Sequence, residues 1–278
     1  MQIENWKLKN AKLVNLHFSI YTFHFSISFL FVTEATQLDV LAVFSHPDDA
    51  ELTMAGTLLK LKSLGYSTGI ADMTRGEMGT RGTPEIRAKE ALDAARVMNL
   101  DARVNAGLPD GHLALNEDSK LAVVRILRKF RPQVVFTGHW DDPHPDHAAT
   151  AHIVREAARL ATMRRYDKDS GLEAIKMPAI AHAVYSRLVV PSFIVDVSEF
   201  AEKKMEAIRA YASQFYLADS SEPETRIAQK GFLRQIADRA RYYGSLIGVE
   251  DGEPFYVREA LNVEDPFALL TRPMNIYS

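Results

Sequence analysis

Two short stretches concentrate imidazoles and carboxylates around prolines: Ser45-His46-Pro47-Asp48-Asp49, and His139-Trp140-Asp141-Asp142-Pro143-His144-Pro145-Asp146-His147. His46, Asp49 and His147 are candidate metal ligands. Three protein ligands with a position left open suit a catalytic rather than a structural zinc. Such a metal lowers the pKa of a bound water toward ~7 and polarises a carbonyl oxygen. Asp48 adjoins a candidate ligand and could act as general base. His144 could protonate a leaving group or stabilise an oxyanion, and Asp146 could orient a histidine from behind. Either motif alone reads more readily as an Asx-type turn or a helix cap, and Asp49 by itself would make a good N-cap. Their joint occurrence after two apolar runs favours chemistry. His139 and His112 could equally be loop histidines, while His152 and His182 read as structural or solvent-facing.

The elements that must position these residues follow from the apolar pattern. Leu38 to Phe44 is short and almost continuously apolar, the signature of a buried strand, and Met54 to Leu64 carries leucines at helical spacing. The first motif is therefore a strand-to-helix turn. The second follows Val134 to Gly138, a further strand, and precedes a helical run from His147 to Met163. Ligands in open α/β sheets bind at the carboxyl ends of strands, in such turns. Between the motifs, a strand over Ser67–Met73 leads to a glycine-rich loop at 74–83. Pro84 suits the first turn of the next helix. The loop glycines match neither GxGxxG nor a P-loop, so a mobile substrate loop bearing Arg75 and Arg81 is the better expectation. A strand over 101–106 and a helix over 121–130 complete the alternation, which predicts an α/β, Rossmann-like, mostly parallel, doubly wound sheet with helices on both faces. Beyond Pro178 the expectation is strands at 183–187 and 193–197, a helix capped by Ser198 and running to Tyr211, and a charged helix from Glu222 to Tyr243 ended by Gly244.

Bulk properties exclude several classes. The chain has 278 residues, 47% hydrophobic and 25% charged, which is ordinary for a globular protein able to bury a large core. A formal net charge of -3 gives no reason to expect nucleic acid or an anionic membrane as partner. The absence of cysteine excludes disulfides and thiolate sites, so zinc would be held by His, Asp or Glu. Ferrous iron also suits such donors. A chain without cysteine is compatible with a reducing cytoplasm. Residues 1–37 stand apart: Lys7, Lys9 and Lys12 precede an apolar stretch, Leu16 to Val32, punctuated by His17, Ser19, Thr22, His24, Ser26 and Ser28. Basic residues before an apolar stretch leave export open. The near-alternation reads better as a strand than as a membrane helix. The plainest expectation is an N-terminal extension or mis-assigned start, followed by a single domain over 38–278.

The paired motifs, His46-Pro47-Asp48-Asp49 with His144-Pro145-Asp146-His147, resemble those of the zinc-dependent N-acetylglucosaminyl deacetylases. That family includes the mycothiol, bacillithiol and phosphatidylinositol-glycan pathway enzymes. Thr74 to Arg87, Tyr211 to Phe215 and Arg241 to Val249 are similar to the bacillithiol branch, which acts on N-acetylglucosaminyl-malate. The resemblance implies zinc on His46, Asp49 and His147, Asp48 as base, and His144 as acid or oxyanion stabiliser. It also implies a small-molecule glycoside substrate and a homo-oligomer. Arg87 matches a substrate-binding arginine that could clamp the malate carboxylates bidentately; the competing reading is a solvent-facing helical arginine.

Overall fold

The structure is a computed structural model that describes residues 28–32, 37–186, 189–216, 218 and 221–271. In chain order the strands and α-helices are β1 (Ser28–Val32), β2 (Val40–Phe44), α1 (Asp49–Ser63), β3 (Thr68–Thr74), α2 (Pro84–Val97), β4 (Ala102–Leu108), α3 (Glu117–Phe130), β5 (Val134–Gly138), α4 (Pro145–Ala161), β6 (Ala179–Ala183), β7 (Phe193–Asp196), α5 (Ala201–Arg209), α6 (Phe232–Leu246), β8 (Gly252–Tyr256) and α7 (Pro266–Leu270). The strands form one sheet in the order β1-β4-β3-β2-β5-β6-β8-β7. The centre, from β4 to β6, is parallel. β1 joins one edge antiparallel to β4, and β8 and β7 extend the other side antiparallel. The mostly parallel, doubly wound α/β sheet is thus the one the strand–helix alternation predicts.

β2 is buried along its whole length, and its alternate side chains enter two separate cores. Leu41 and Val43 face Ile126, Leu127, Ile153 and Val154 of α3 and α4. Val40, Ala42 and Phe44 face Leu58 of α1, Ala91 of α2, Ile208 of α5 and Ile236 of α6. A strand buried on both faces needs apolar residues at every position, because its side chains alternate sides. Each such Val, Leu or Phe contributes roughly 1.5–3 kcal/mol by leaving water. The strand sequence runs outward from β2 through β3 to β4, then jumps to the opposite side for β5 and β6. β2 and β5 therefore flank the topological switch point, and both chemical motifs sit at their carboxyl ends.

Several element boundaries differ from the sequence expectation. The strand expected at 183–187 lies at Ala179–Ala183, in register with β5 from Val134↔Ala179 to Gly138↔Ala183; buried His182 within it masked the apolar run. β8 has no counterpart in the sequence reading, because Gly252 and Pro254 argue against an interior strand. The helix expected over 222–243 begins only at Phe232. Pro223 and Gly231, the latter at φ +103°, hold the preceding residues outside it. Gly244 does not end that helix but sits where a Cβ would lie 2.6 Å from the Glu250 carbonyl oxygen. Ser198 caps no helix: its hydroxyl donates to Asp196 Oδ1 at 2.7 Å. Leu64, expected on the apolar face of α1, is exposed. In the extension, residues 28–32 adopt the strand conformation the alternation suggested, whereas the remaining expectations for 1–27 and 33–36 lie outside the described residues. Among the described residues no helix is long and apolar enough to cross a membrane.

Candidate active site

The turn after β2 delivers three functional side chains within four residues. His46 closes back on itself, its backbone N–H donating to Asp49 Oδ2 at 2.9 Å. Asp48 occupies φ 112°, ψ -26°, a left-handed conformation uncommon for a side chain with a Cβ. Strain of this kind persists only where surrounding structure imposes it. Here the imposing residue is Arg87, whose Nη2 donates to the Pro47 carbonyl and approaches Asp48 Oδ2 at 3.4 Å, while Nη1 donates to the Gly76 carbonyl. Gly76 itself has φ +68°, and a Cβ there would overlap the Arg87 guanidinium.

Across the switch point, Pro145 starts α4 and the first turn of that helix presents Asp146 and His147. His46 Nδ1 lies 3.3 Å from Asp49 Oδ2, and His147 Nε2 lies 3.3 Å from Asp49 Oδ1. One donor atom from each of the three residues falls within a common 4.8 Å. The other nitrogen of each imidazole is held by carboxylates: His46 Nε2 by Asp110 at 2.9 Å and Asp146 at 3.4 Å, His147 Nδ1 by Asp142 at 3.1 Å. Carboxylate-backed imidazoles converging with a carboxylate are what a divalent cation requires, so the donor set fits the metal expected from the sequence. His46, His144 and Asp146 form a second close cluster. It suits a cation less well, because Asp146 already accepts the amides of Gly111 and Leu113, and His144 Nδ1 accepts the Asp146 amide at 3.2 Å.

Electrostatics follow from this packing. Burial works against a charged His46, but Asp49, Asp110 and Asp146 raise it to about 12. Burial likewise opposes a charged His147, yet Asp49 and Asp142 raise it to about 10. Burial also disfavours the Asp49 carboxylate, but the two imidazoles hold it well below the usual range. Asp110 is held down to about 2, against its burial, by its bond to His46. Burial raises Asp48 to about 7, opposed by the Arg87 charge and reinforced by Asp49. His144 is lowered by burial and by the neighbouring His147 and His46.

A metal must therefore displace protons from His46 and His147, which are cationic at neutral pH in the metal-free protein. Binding is expected to release up to two protons and to weaken steadily as pH falls. Calorimetric zinc titrations in buffers of different ionisation enthalpy read this directly; pH-independent affinity with no proton release would show that these imidazoles are not ligands.

Except for Asp146, which is buried behind His46, these groups line one cleft of about 490 Å³, whose wall also includes Met78, Gly79, Tyr185, Gln214 and Arg226. That volume lies within the ~300–1,000 Å³ typical of small-molecule sites. The three candidate ligands, Asp48, His144 and Asp146 are thus brought together. Arg87 is also brought to the cleft and is buried, which removes the solvent-facing reading. Both its terminal nitrogens are already engaged within the protein. Arg75 is exposed and lines a different depression with Asp72, Pro84 and Asn105. Arg81 is buried and donates to the carbonyls of Ser213, Phe215 and Pro223. The glycine-rich loop is consequently pinned, not the mobile loop the glycines suggest, and it holds Met78 against the cleft through the Asp110 carboxylate. Sequence reasoning missed Asp110 and the role of Asp142. Asp142 stands within the second motif, but Asp110 belongs to an ordinary Pro-Asp-Gly turn and carries no signal of its own.

A triad of donors that could hold a cation, beside a carboxylate and an imidazole at the switch point of a parallel sheet, fits a metallohydrolase-type α/β protein. Comparison with known proteins narrows the class. The family described as GlcNAc-PI de-N-acetylase (PIG-L) matches residues 41–158, a span containing both motifs. The "Probable N-acetyl-alpha-D-glucosaminyl L-malate deacetylase 2" of Bacillus anthracis is 31% identical over 189 residues, covering 63% of this chain and 81% of that protein. The diacetylchitobiose deacetylase of Thermococcus kodakarensis is 27% identical over 229 residues, covering 75% and 79%. Among solved structures, the conserved protein TT1542 from Thermus thermophilus superposes with a TM-score of 0.73 at 38% identity, covering 82% of this chain and 98% of that one. The chain belongs to the PIG-L family of deacetylases, hydrolases of amide bonds.

Proposed function

We propose that the protein removes acetate from an N-acetylglucosamine conjugate, with N-acetylglucosaminyl-malate of bacillithiol biosynthesis as the substrate. The observation that carries the reaction is the placement of Asp48 and His144 in one cleft with the His46–Asp49–His147 triad. The malate assignment draws on the likeness to the Bacillus anthracis relative and the sequence similarity to the bacillithiol branch. A zinc or ferrous ion on the triad would supply Lewis acidity and a more acidic water.

Asp48 takes the proton of the attacking water as the oxygen bonds to the acetamide carbon. Its carboxylate, fixed by Arg87 and poised near neutrality, is suited to accept that proton and then pass it on. His144 faces the reaction with Nε2, since Nδ1 is occupied as acceptor of the Asp146 amide. A neutral imidazole held so carries its hydrogen on Nε2 and donates to the developing oxyanion. Collapse breaks the carbon–nitrogen bond, and the Asp48 proton goes to the departing nitrogen. Water and amide thereby become acetate and a free amine. Asp110, Asp142 and Asp146 keep the imidazoles oriented throughout.

The likeness to the diacetylchitobiose enzyme spans more of the chain, which makes a neutral N-acetylated disaccharide the competing substrate. The deciding experiment is acetate release by purified protein from both compounds, with chelated and zinc-restored controls. Chelator-sensitive release from the malate conjugate is the expected result. Release from the disaccharide alone would move the substrate, and release from neither would move it to another acetylated sugar first and to a non-catalytic binding role second.

A further inference from the structure

Catalysis as derived above leaves one charged side chain of the cleft unused. Arg226 lies in the segment between α5 and α6, lines the same cleft as the triad, and is exposed. Among the described residues its guanidinium has no hydrogen-bond or ion-pair partner. Its charge reaches the cleft: burial pushes the Tyr185 phenol up, and Arg239 and Arg226 pull against that rise. The other arginine of the cleft, Arg87, spends both terminal nitrogens on Gly76, Pro47 and Asp48 and offers no free bidentate fork. Asp48, Asp49, Asp110 and Asp142 line the metal end, so a second anion on the substrate would be repelled there.

The wall that carries Arg226 is braced from below. Arg81 donates to the carbonyls of Ser213, Phe215 and Pro223, and Glu90 accepts both the Ser213 amide and hydroxyl. Gln214 stands in the same wall, its amide nitrogen donating to the Arg81 carbonyl and to Ser213 Oγ. Arg81 is therefore a brace for the substrate wall and not itself a substrate contact.

Resting on the deacetylase reading, we propose that Arg226 is the specificity-determining residue of this site: it recognises a carboxylate on the aglycone of the N-acetylglucosamine conjugate. The test compares wild type with Arg226→Gln and Arg226→Lys on three substrates: N-acetylglucosaminyl-malate, its dimethyl ester, and neutral diacetylchitobiose. Arg226→Gln is expected to raise KM for the malate conjugate by about tenfold or more, the worth of a charge-assisted bond. Its kcat for that compound, and its kinetics on the two neutral compounds, should change by less than about twofold. Arg226→Lys should recover part of the loss, because a point charge persists without the fork. Equal losses on charged and neutral substrates, or no loss on the malate conjugate, would overturn the assignment. Should wild type hydrolyse none of the three, the substrate assignment fails by itself. Calorimetric binding of glucosaminyl-malate against methyl glucosaminide then decides the anion preference, and equal affinities in wild type and Arg226→Gln would overturn it.

Discussion

Asp48→Asn is expected to lower kcat by about 10²–10⁴, the contribution typical of a positioned general base, while leaving one metal ion bound. Asparagine is the informative replacement because of the backbone. Asp48 sits at φ 112°, and asparagine tolerates positive φ better than most residues. Its amide can also remain beside Arg87, so the turn that aims His46 and Asp49 is preserved. Alanine would add backbone strain to the loss of the carboxylate and confuse the two effects. The pH profile supplies an independent readout. A base works in its ionised form, so the wild-type rate should fall on the acid side as Asp48 takes up a proton. In the metal-free protein that event is centred at about 7, raised chiefly by burial; a bound cation nearby would draw it lower. The variant should lose this acid limb. A variant with near-wild-type kcat, or with an unchanged acid limb, would remove Asp48 from the role of base.

How far the site could be read from the sequence depends on how each residue acts. His46, Asp48, Asp49, His144, Asp146 and His147 were legible because they cluster at two strand ends, where topology alone predicts a ligand site. The parallel centre of the sheet was legible for a related reason: a strand buried on both faces must be apolar throughout, as β2 is. Residues that act through long-range contacts were not legible. Asp110 reaches His46 from a loop 64 positions away in the chain, and Arg81 braces a segment more than 130 positions distant. Their local sequence suggests an ordinary turn at Asp110 and a mobile substrate loop at Arg81, and neither points to a fixed long-range contact. β8 was hidden by its own Pro254, and the start of α6 by a charged run that continues upstream without helical backbone. Charge on an arginine does not disclose whether it will meet substrate or carbonyl oxygens. Arg75, Arg81, Arg87 and Arg226 have four different fates in one neighbourhood.

The sharpest case of a hidden role is Arg103, and its replacement is expected to have the largest effect on stability. It lies near the start of β4 and is completely buried. Its Nε and Nη2 form a two-bond fork with Asp72, each at 2.9 Å, while Nη1 donates to Glu51 Oε1 and to the Ala91 carbonyl. Tyr211 completes the set by donating its hydroxyl to Glu51 Oε1 at 3.0 Å. One guanidinium thus ties β4 to β3, to the first turn of α1, to α2 and to the segment after α5. Two carboxylates share the one positive charge, and burial lifts Asp72 above the usual carboxylate range despite the Arg103 charge. Arg103→Met should cost roughly 3–5 kcal/mol, because it leaves buried acids without compensation. That is a large share of the ~5–15 kcal/mol that holds a domain folded. Denaturant unfolding of the metal-free protein measures it, with an unchanged m-value showing that the same transition is compared. The combined variant Glu51→Leu, Asp72→Leu, Arg103→Met should recover much of the loss, since a buried ionic set is frequently no more stabilising than apolar packing of similar volume. A single-site loss below about 1 kcal/mol would contradict the network reading. Glu51 lies two residues from Asp49 in the same helical turn, so its anchorage also sets where the triad stands. Arg103→Met protein that remains folded should accordingly bind zinc more weakly, although Arg103 touches neither the donor atoms nor the cleft.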